Sequence, residues 1–193
     1  MYYAEKPTSS HDIHELKVEL LGEAFDFLSD AGVFSKKRID YGSQVLLNAL
    51  TLKSGKTLLD IGCGYGPLGL TLAKVQGVKV TMVDINLRAL ALAQKNADRN
   101  NIKADIFQSD LYENVESSFD YIISNPPIRA GKKTVHRIIE EGLNHLNSGG
   151  FLTLVIQKKQ GAPSAKAKME AVFGNCEILK RDKGYYILQS EKI

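Results

Sequence analysis

Residues 57–67 read Thr-Leu-Leu-Asp-Ile-Gly-Cys-Gly-Tyr-Gly-Pro. Its apolar first half is typical of a buried strand, and Gly62, Gly64 and Gly66 then lead to Pro67. Glycine lets a backbone approach a ligand closely and adopt positive φ angles. Proline suits the first turn of a helix, whose free N–H groups face such a ligand. The stretch therefore predicts a strand, a ligand-binding turn and a helix in succession.

Apolar runs of strand length alternate with helical patterns through the rest of the chain. The predicted strands cover 57–61, 79–83, 104–108, 119–124 and 151–156, and the predicted helices cover 67–76, 87–100, 135–146 and 165–173. In the third of these helices, glycines within 147–150 are predicted to form the end. Two further apolar runs, 176–180 and 185–189, flank a Lys-Gly turn and predict an antiparallel hairpin. Alternation of this kind predicts an α/β fold, a Rossmann-like, doubly wound, mostly parallel seven-stranded sheet that ends in the antiparallel C-terminal hairpin.

The first 50 residues follow a different pattern. Apolar and charged residues alternate over 15–20, and two phenylalanines continue the alternation after a turn. This predicts a small N-terminal β-hairpin with one buried face, followed by a helix over 41–50. We therefore divide the chain into a hairpin and helix extension over 1–50 and a catalytic domain over 51–193.

The composition excludes several classes of protein. The chain has 193 residues, of which 44% are hydrophobic and 24% charged, which is ordinary for a soluble globular domain. It carries only two cysteines and no apolar run of about 20 residues, the length that spans a membrane. The first residues also lack the apolar core of a signal peptide. We expect a cytoplasmic protein with free thiols, no membrane partner and no metal, since His11 and His14 lack further ligands nearby.

The glycine loop admits two alignments. Gly64, Gly66 and Gly69 match the dinucleotide fingerprint, with Asp84 20 positions after the first glycine, which would indicate an NAD-dependent oxidoreductase. That alignment requires the strand to continue through residue 63, and no residue accounts for hydride chemistry. In the alternative, the strand ends at Asp60, whose carboxylate would face a ligand bearing an amino group and a positive charge. S-adenosyl-L-methionine has both and carries no phosphate.

Two more strands end in acidic residues. Ligands of an open parallel sheet bind beyond the carboxyl ends of its strands. Asp84, with Ile85 beside it, is suited to accept the hydroxyl groups of a ribose, and Asp110 to accept a hydrogen from an adenine amino group. Leu111 can pack on the adenine ring. Acidic groups at three successive strand ends favour a nucleoside cofactor.

The fourth strand leads into Asn125-Pro126-Pro127-Ile128, the most specific motif in the chain. The prolines lack N–H donors and restrict the backbone, which leaves carbonyl groups free. The side-chain oxygen of Asn125 and the carbonyl of Pro126 can then accept both hydrogens of a planar amine and expose its lone pair. We predict that these four residues form the catalytic site for methyl transfer to an exocyclic amine.

Together these motifs resemble those of the class I S-adenosylmethionine-dependent methyltransferases, and more closely the RsmC-like family of small-subunit ribosomal RNA guanine-N2 methyltransferases. The closer resemblance rests on 30–35, 40–43, 125–131 and 157–161. It implies methyl transfer from S-adenosyl-L-methionine to guanine N2 of 16S ribosomal RNA, by a short, single-domain form. The alternatives are a protein glutamine N-methyltransferase, an adenine N6 methyltransferase acting on nucleic acid and a non-enzymatic RNA-binding module.

The resemblance also implies site residues. Its cofactor contacts are Asp60, Gly62, Cys63, Gly64, Gly66, Asp84, Ile85, Asp110, Leu111, Asn125, Phe34, Ser35 and Gly42. Ile128 stands where many amino-methyltransferases have an aromatic residue that stacks on the base, and Phe34 is our candidate to replace it. Tyr185 and Tyr186 are interpreted as ordinary strand packing.

Cationic residues cluster in the loops expected beside the catalytic motif, although the net charge of the whole chain is only +3. Clustered cations suit the phosphates of nucleic acid. The predicted partner is therefore ribosomal RNA or a ribosomal subunit. The predicted RNA-binding residues are Lys36, Lys37, Arg38, Arg129, Lys132, Lys133, Lys158 and Lys159.

Overall fold

The computed structural model describes residues 10–30 and 38–193. Strands and helices alternate along most of this length. The elements are β1 (His14–Leu20), β2 (Glu23–Ser29), α1 (Tyr41–Ala49), β3 (Thr57–Ile61), α2 (Pro67–Gln76), β4 (Lys79–Asp84), α3 (Leu87–Arg99), β5 (Ala104–Gln108), β6 (Phe119–Ser124), α4 (Gly131–Gly142), β7 (Leu146–Gln157), α5 (Ala162–Phe173), β8 (Glu177–Asp182) and β9 (Tyr185–Glu191).

Seven of these strands form one twisted sheet in the order β5-β4-β3-β6-β7-β9-β8. The strands from β5 to β7 are parallel, and β9 is antiparallel to both β7 and β8. The predicted α/β fold is therefore confirmed, including its antiparallel C-terminal hairpin. The chain order reverses between β3 and β6, and such a switch point opens a crevice at the carboxyl ends of the strands.

The two faces of the sheet bury separate apolar cores. Leu58 belongs to the core packed against α1, α2, α3 and the N-terminal hairpin. Leu59 and Ile61 belong to the core packed against α4 and α5. Because successive side chains of a strand point to opposite faces, an uninterrupted apolar run such as β3 is suited to burial on both sides.

The predicted N-terminal hairpin is also confirmed, and it packs on α3. The side-chain amide of Asn96 accepts a hydrogen bond from the Leu28 N–H at 2.8 Å and donates one to the Leu28 carbonyl at 2.9 Å. Asn100 pairs in the same way with the backbone of Asp26, with both distances 3.0 Å. Phe27 is fully buried in the same core as the sheet. The boundary at residue 50 stays a prediction.

The end of the third main helix was predicted wrongly. The helix α4 ends at Gly142, a short 3₁₀ turn follows, and β7 already begins at Leu146. The Gly149 N–H donates to the Lys192 carbonyl at 2.6 Å, and the Lys192 N–H donates to the Gly150 carbonyl at 2.8 Å. These glycines therefore extend strand pairing towards the C-terminus rather than ending a helix.

Candidate active site

A cleft of about 820 Å³ lies at the carboxyl ends of the parallel strands. We call it the cofactor cleft. Its walls come from the loops after β3, β4, β5 and β6, which the sequence order places far apart. Most of the predicted cofactor residues meet there, namely Gly62, Cys63, Gly64, Asp84, Ile85, Asp110, Leu111 and Asn125.

The glycine loop wraps around the end of β4. The strand β3 ends at Ile61, and the N–H groups of Gly62 and Cys63 both donate to the Val83 carbonyl, at 2.9 and 3.0 Å. The dinucleotide alignment requires β3 to continue through Cys63. In the structure β3 ends two residues earlier, at Ile61. Gly66 is the left-handed N-cap of α2, with φ of 97°, and a Cβ there would lie 3.0 Å from Leu70. It does not line the cleft and serves to turn the loop into α2, and its predicted cofactor contact stays a prediction.

Asp84 ties the second strand to the glycine loop. Its Oδ2 accepts the Gly64 N–H at 2.8 Å, and its Oδ1 accepts the Asn86 N–H at 2.8 Å. Burial raises the pKa of the Asp84 carboxyl, while these N–H groups act in the opposite direction. A carboxylate has about four acceptor sites, so two hydrogen bonds leave it able to accept others from a ligand in the cleft.

Asp60 lies beneath the cofactor cleft, next to the first turn of α2. The residue is only 1% exposed and is absent from the cleft wall. Its Oδ2 accepts the Gly69 N–H at 3.0 Å, and its Oδ1 has no partner among the described residues. The contact that Asp60 makes in the structure therefore supports the first turn of α2, and its predicted contact with a ligand amino group stays a prediction. Burial raises the pKa of Asp60 to about 7.

This pKa predicts a pH-dependent stability that a single substitution removes. Folded Asp60 holds its proton up to about pH 7, whereas the unfolded carboxyl loses it near 3.8, so the free energy of unfolding falls as the pH rises between these values. The full loss is on the order of 4 kcal/mol. Asp60→Asn keeps a carbonyl acceptor for Gly69 and does not titrate. We expect its advantage over the wild type to grow from about pH 4 to about pH 7 in urea unfolding. A constant difference across that range would contradict the assignment.

Asn125 stands directly after β6, with its amide orientation fixed by two partners. Its Nδ2 donates to Asp40 Oδ2 at 2.8 Å and to Ser43 Oγ at 2.9 Å. An ionised carboxylate only accepts hydrogen bonds, so the NH₂ end must face Asp40. The Oδ1 end makes no hydrogen bond with any residue in 10–30 or 38–193. Both partners also lie in the wall of the cofactor cleft.

A second cavity of about 660 Å³ adjoins the cleft on the other side of Asn125. We call it the acceptor cavity. Asn125 and Pro127 line both cavities, whereas Pro126 lines only the acceptor cavity. The backbone of Ile128 begins a 3₁₀ turn, Ile128–Ala130, and its side chain lies outside the described structure. The predicted catalytic motif thus forms the partition between the two cavities.

Tyr185 was interpreted as ordinary strand packing, and the structure corrects this. Its half-buried ring lines the acceptor cavity and packs against Tyr41, with ring centroids 5.8 Å apart. Gly42 was predicted to contact the cofactor, but it does not line the cofactor cleft. A Cβ at Gly42 would lie 2.8 Å from Tyr185 Cε1, so this glycine makes room for the ring.

Asp40, Ser43 and Tyr185 are among the residues of this site that could not be assigned from the sequence. The spacing from Asp40 to Ser43 is that of a helix N-cap, and Asp40 does cap α1, with the Ser43 N–H 3.1 Å from its Oδ2. No local pattern indicates the second contact of Asp40, because Asn125 is 85 positions away. Phe34 and Ser35, predicted to close over the cofactor, lie outside the described residues.

Exposed cations follow the strands that carry the motif. Arg129, Lys132 and Lys133 follow β6, and Lys158 and Lys159 follow β7, so both groups lie at the same end of the sheet. The Lys158 N–H donates to the Gly184 carbonyl at 2.8 Å, which joins this loop to the β8–β9 turn. None of these five forms an ion pair with another described residue. Arg38 is exposed as well, and Lys36 and Lys37 are not described.

No group of three or more His, Cys, Asp and Glu side chains in the described part of the chain is arranged to hold a metal ion. No helix within residues 10–30 or 38–193 is both long and apolar enough to cross a membrane. Both cysteines are free, as predicted, and burial raises the pKa of the Cys63 thiol well above its usual value.

Comparison with known proteins agrees with this geometry. The sequence matches the family described as "Methyltransferase small domain" over residues 24–189. The protein YbxB of Bacillus subtilis, described as uncharacterized, is 45% identical over 199 aligned positions that cover 100% of this chain and 98% of YbxB. Ribosomal RNA small subunit methyltransferase C of Aeromonas hydrophila is 44% identical over 129 positions, which cover 64% of this chain and 37% of that protein.

A solved structure is similar over nearly the whole chain. It is the T. thermophilus 16S rRNA N2 G1207 methyltransferase, RsmC, in complex with AdoMet and guanosine, and it matches with a TM-score of 0.86 and 30% identity. The match covers 97% of this chain and 52% of RsmC, so the chain spans about half the length of that relative. The chain belongs to the methyltransferase small domain family and is an RsmC-like class I methyltransferase that uses S-adenosyl-L-methionine.

Proposed function

We propose that this methyltransferase modifies an exocyclic amine of an RNA base, namely guanine N2 in 16S ribosomal RNA. The observation that carries the proposal is the position of Asn125, which lies between two cavities with its NH₂ group already bonded to Asp40 and Ser43. An acceptor amine in one cavity and the cofactor in the other would meet at this residue. The site specified in the name of the T. thermophilus relative supports guanine N2.

The residues of the cofactor cleft fit S-adenosylmethionine. The spare acceptor sites of Asp84 suit the ribose hydroxyls, and Leu111 and Ile85 offer an apolar surface to the adenine, beside the carboxylate of Asp110. The cofactor supplies a methyl group already activated on a positively charged sulfur. The protein's main task is therefore to hold and orient the acceptor, for which no protein nucleophile is required.

The catalytic motif orients the acceptor amine. Asn125 Oδ1 and the Pro126 carbonyl accept its two hydrogens, which directs the nitrogen lone pair towards the cofactor cleft. The same two oxygens stabilise the positive charge that develops on the nitrogen during transfer. The methylated ammonium is strongly acidic, so it loses its proton to water. A base in folded RNA must leave its stack to reach this position.

The acceptor cavity provides surfaces for the base itself. Val135 and Ile156 contribute apolar wall, and Gln157 offers an amide able to bond polar atoms of a base. Tyr185 supplies an aromatic ring in the same cavity. This ring is a second candidate, beside Phe34, for the role of the aromatic residue that the motif lacks at Ile128.

Removal of this ring should weaken use of the RNA without affecting the cofactor. Stacking of a base on an aromatic side chain contributes about 1–3 kcal/mol. We expect Tyr185→Ala to lower kcat/KM for ribosomal RNA by about 10- to 100-fold, with calorimetric binding of S-adenosylmethionine unchanged. Tyr185→Phe keeps the ring and should keep most of the activity. Equal activity of the alanine variant and the wild type would refute base packing on Tyr185.

The exposed cations support RNA as the partner. Lys132 lines the acceptor cavity, with Arg129 and Lys133 close to it in the chain, and Lys158 and Lys159 directly follow Gln157 of the same cavity. Positive groups in these places suit the phosphates that flank an extruded base. They favour RNA over a protein glutamine side chain. We extend the same role to Lys36, Lys37 and Arg38.

Nucleoside mapping tests the proposed function. Small-subunit ribosomal RNA from a strain that lacks the gene should be missing one N2-methylguanosine, as detected by mass spectrometry. The wild-type gene should restore it, and the gene carrying Asn125→Ala should not. An unchanged content of N2-methylguanosine, with a methyl group missing instead from an adenine of the RNA or from a protein glutamine, would overturn the proposal.

A further inference from the structure

We infer that Asp40 and Ser43 are positioning residues that hold the Asn125 amide in the one orientation that accepts a substrate amine. This inference rests on the proposed function of Asn125. The two residues lie in the first turn of α1, whereas Asn125 follows β6, and the three side chains meet through distances of 2.8 and 2.9 Å. We call this arrangement the amide clamp.

The need for a clamp follows from the symmetry of the amide. The carbonyl and NH₂ ends of asparagine have nearly the same shape, so packing alone selects weakly between them. Only the carbonyl end accepts hydrogens from an amine. A flipped Asn125 would present donors to another donor and would repel the substrate.

Asp40 excludes the flipped state. An ionised carboxylate has no hydrogen to donate. Rotation of the amide would bring Asn125 Oδ1 to the place where Nδ2 now lies, 2.8 Å from the carboxylate oxygen. Two oxygen acceptors would then face each other at hydrogen-bond distance. The negative charge also polarises the amide and makes Oδ1 a stronger acceptor.

Helix capping alone does not require an aspartate at this position. Asp40 accepts the Ser43 N–H through the same Oδ2 atom that receives Nδ2 of Asn125. Serine caps a helix about as well as aspartate does. The serine hydroxyl is one atom closer to the backbone than the carboxylate oxygen, so it can cap the helix but does not extend to Asn125. The carboxylate therefore serves a contact beyond the end of its own helix.

The variant Asp40→Ser tests the amide clamp separately from the helix cap, because it removes the contact with Asn125 and keeps a capping oxygen. We expect the variant to keep its melting temperature, and because Asp40 also lines the cofactor cleft, its rate is measured at saturating S-adenosylmethionine. Its single-turnover rate on small-subunit ribosomal RNA from the deletion strain should fall about 10- to 100-fold, the effect of losing a hydrogen bond to a charged group. Asp40→Asn retains an acceptor of the same length and should lose less. An unchanged rate, or a loss of cofactor affinity with the rate intact, would overturn the inference.

An exchange of the two side chains provides a second test that does not depend on the cap. Asn125→Asp sets two carboxylates at hydrogen-bond distance and should be nearly inactive near neutral pH. Adding Asp40→Asn restores one donor between the pair, and we expect it to recover at least about 10-fold of the lost rate. Simple addition of the two defects would overturn the clamp. Full activity of Asn125→Ala would instead overturn the proposed function, so the two failures are distinguishable.

Discussion

We expect Asn125→Ala to lower the rate of methyl transfer by about 10²- to 10³-fold while leaving the affinity for S-adenosylmethionine within about twofold. The substitution removes Oδ1, one of two oxygens proposed to hold the acceptor amine and to stabilise the charge that develops on it. The cofactor cleft keeps its glycine loop and Asp84, which lie on other loops of the sheet. The rate of methyl transfer should therefore fall without a matching fall in the affinity for S-adenosylmethionine.

Single-turnover transfer to ribosomal RNA, together with calorimetry of cofactor binding, measures both quantities. Asn147→Ala is a matched control, because Asn147 lies near the start of β7, at the opposite end of the sheet from Asn125, and is exposed. It should transfer methyl groups at close to the wild-type rate. A variant at 125 that transfers normally, or that loses cofactor binding in proportion to its rate, would contradict the assigned role.

The second large effect is expected at Asp84. Asp84→Ala removes the acceptor for the N–H groups of Gly64 and Asn86 and the proposed acceptor for the ribose hydroxyls. Hydrogen bonds to charged groups contribute about 1.5–3 kcal/mol each. Loss of two or more should raise the dissociation constant for S-adenosylmethionine by at least about 100-fold.

Calorimetric titration measures this loss, with the melting temperature recorded for each variant. Asp105→Ala is the control, because Asp105 is exposed on the neighbouring edge strand β5. This substitution removes the same charge from the molecule as Asp84→Ala does. It should bind the cofactor as the wild type does. A folded Asp84→Ala variant with wild-type affinity would show that the ribose is held elsewhere.

Most of the fold is predictable because its signals are local. Apolar runs of strand length predict β3 to β6 to within a residue, and the burial of β3 on both faces follows from its uninterrupted apolar composition. The helix end predicted at 147–150 was wrong because the signal that decides the structure there is not local. Gly149 and Gly150 pair with Lys192, which is more than 40 positions away, and no nearby residue indicates that partner.

The same difference between local and distant signals applies to the residues of the candidate site. Position at a strand end could be predicted for Asp60, Asp84 and Asn125, because parallel strands deliver their ends to one edge. Orientation could not, since it depends on competing partners. Gly69 takes up an oxygen of Asp60 and holds it below the cleft, whereas Asp40 turns the Asn125 amide. Both partners come from other elements of the structure.

Reconstitution of methyl transfer from purified components tests whether the protein methylates guanine N2 through Asn125. Purified protein is incubated with S-adenosylmethionine carrying a ¹³C-labelled methyl group and small-subunit ribosomal RNA from a strain lacking the gene, and the RNA nucleosides are then analysed by mass spectrometry. We predict that the label appears in N2-methylguanosine at one position and is absent when Asn125→Ala replaces the wild type. Label on another base or on a ribose, or equal labelling by the Asn125→Ala variant, would contradict this account.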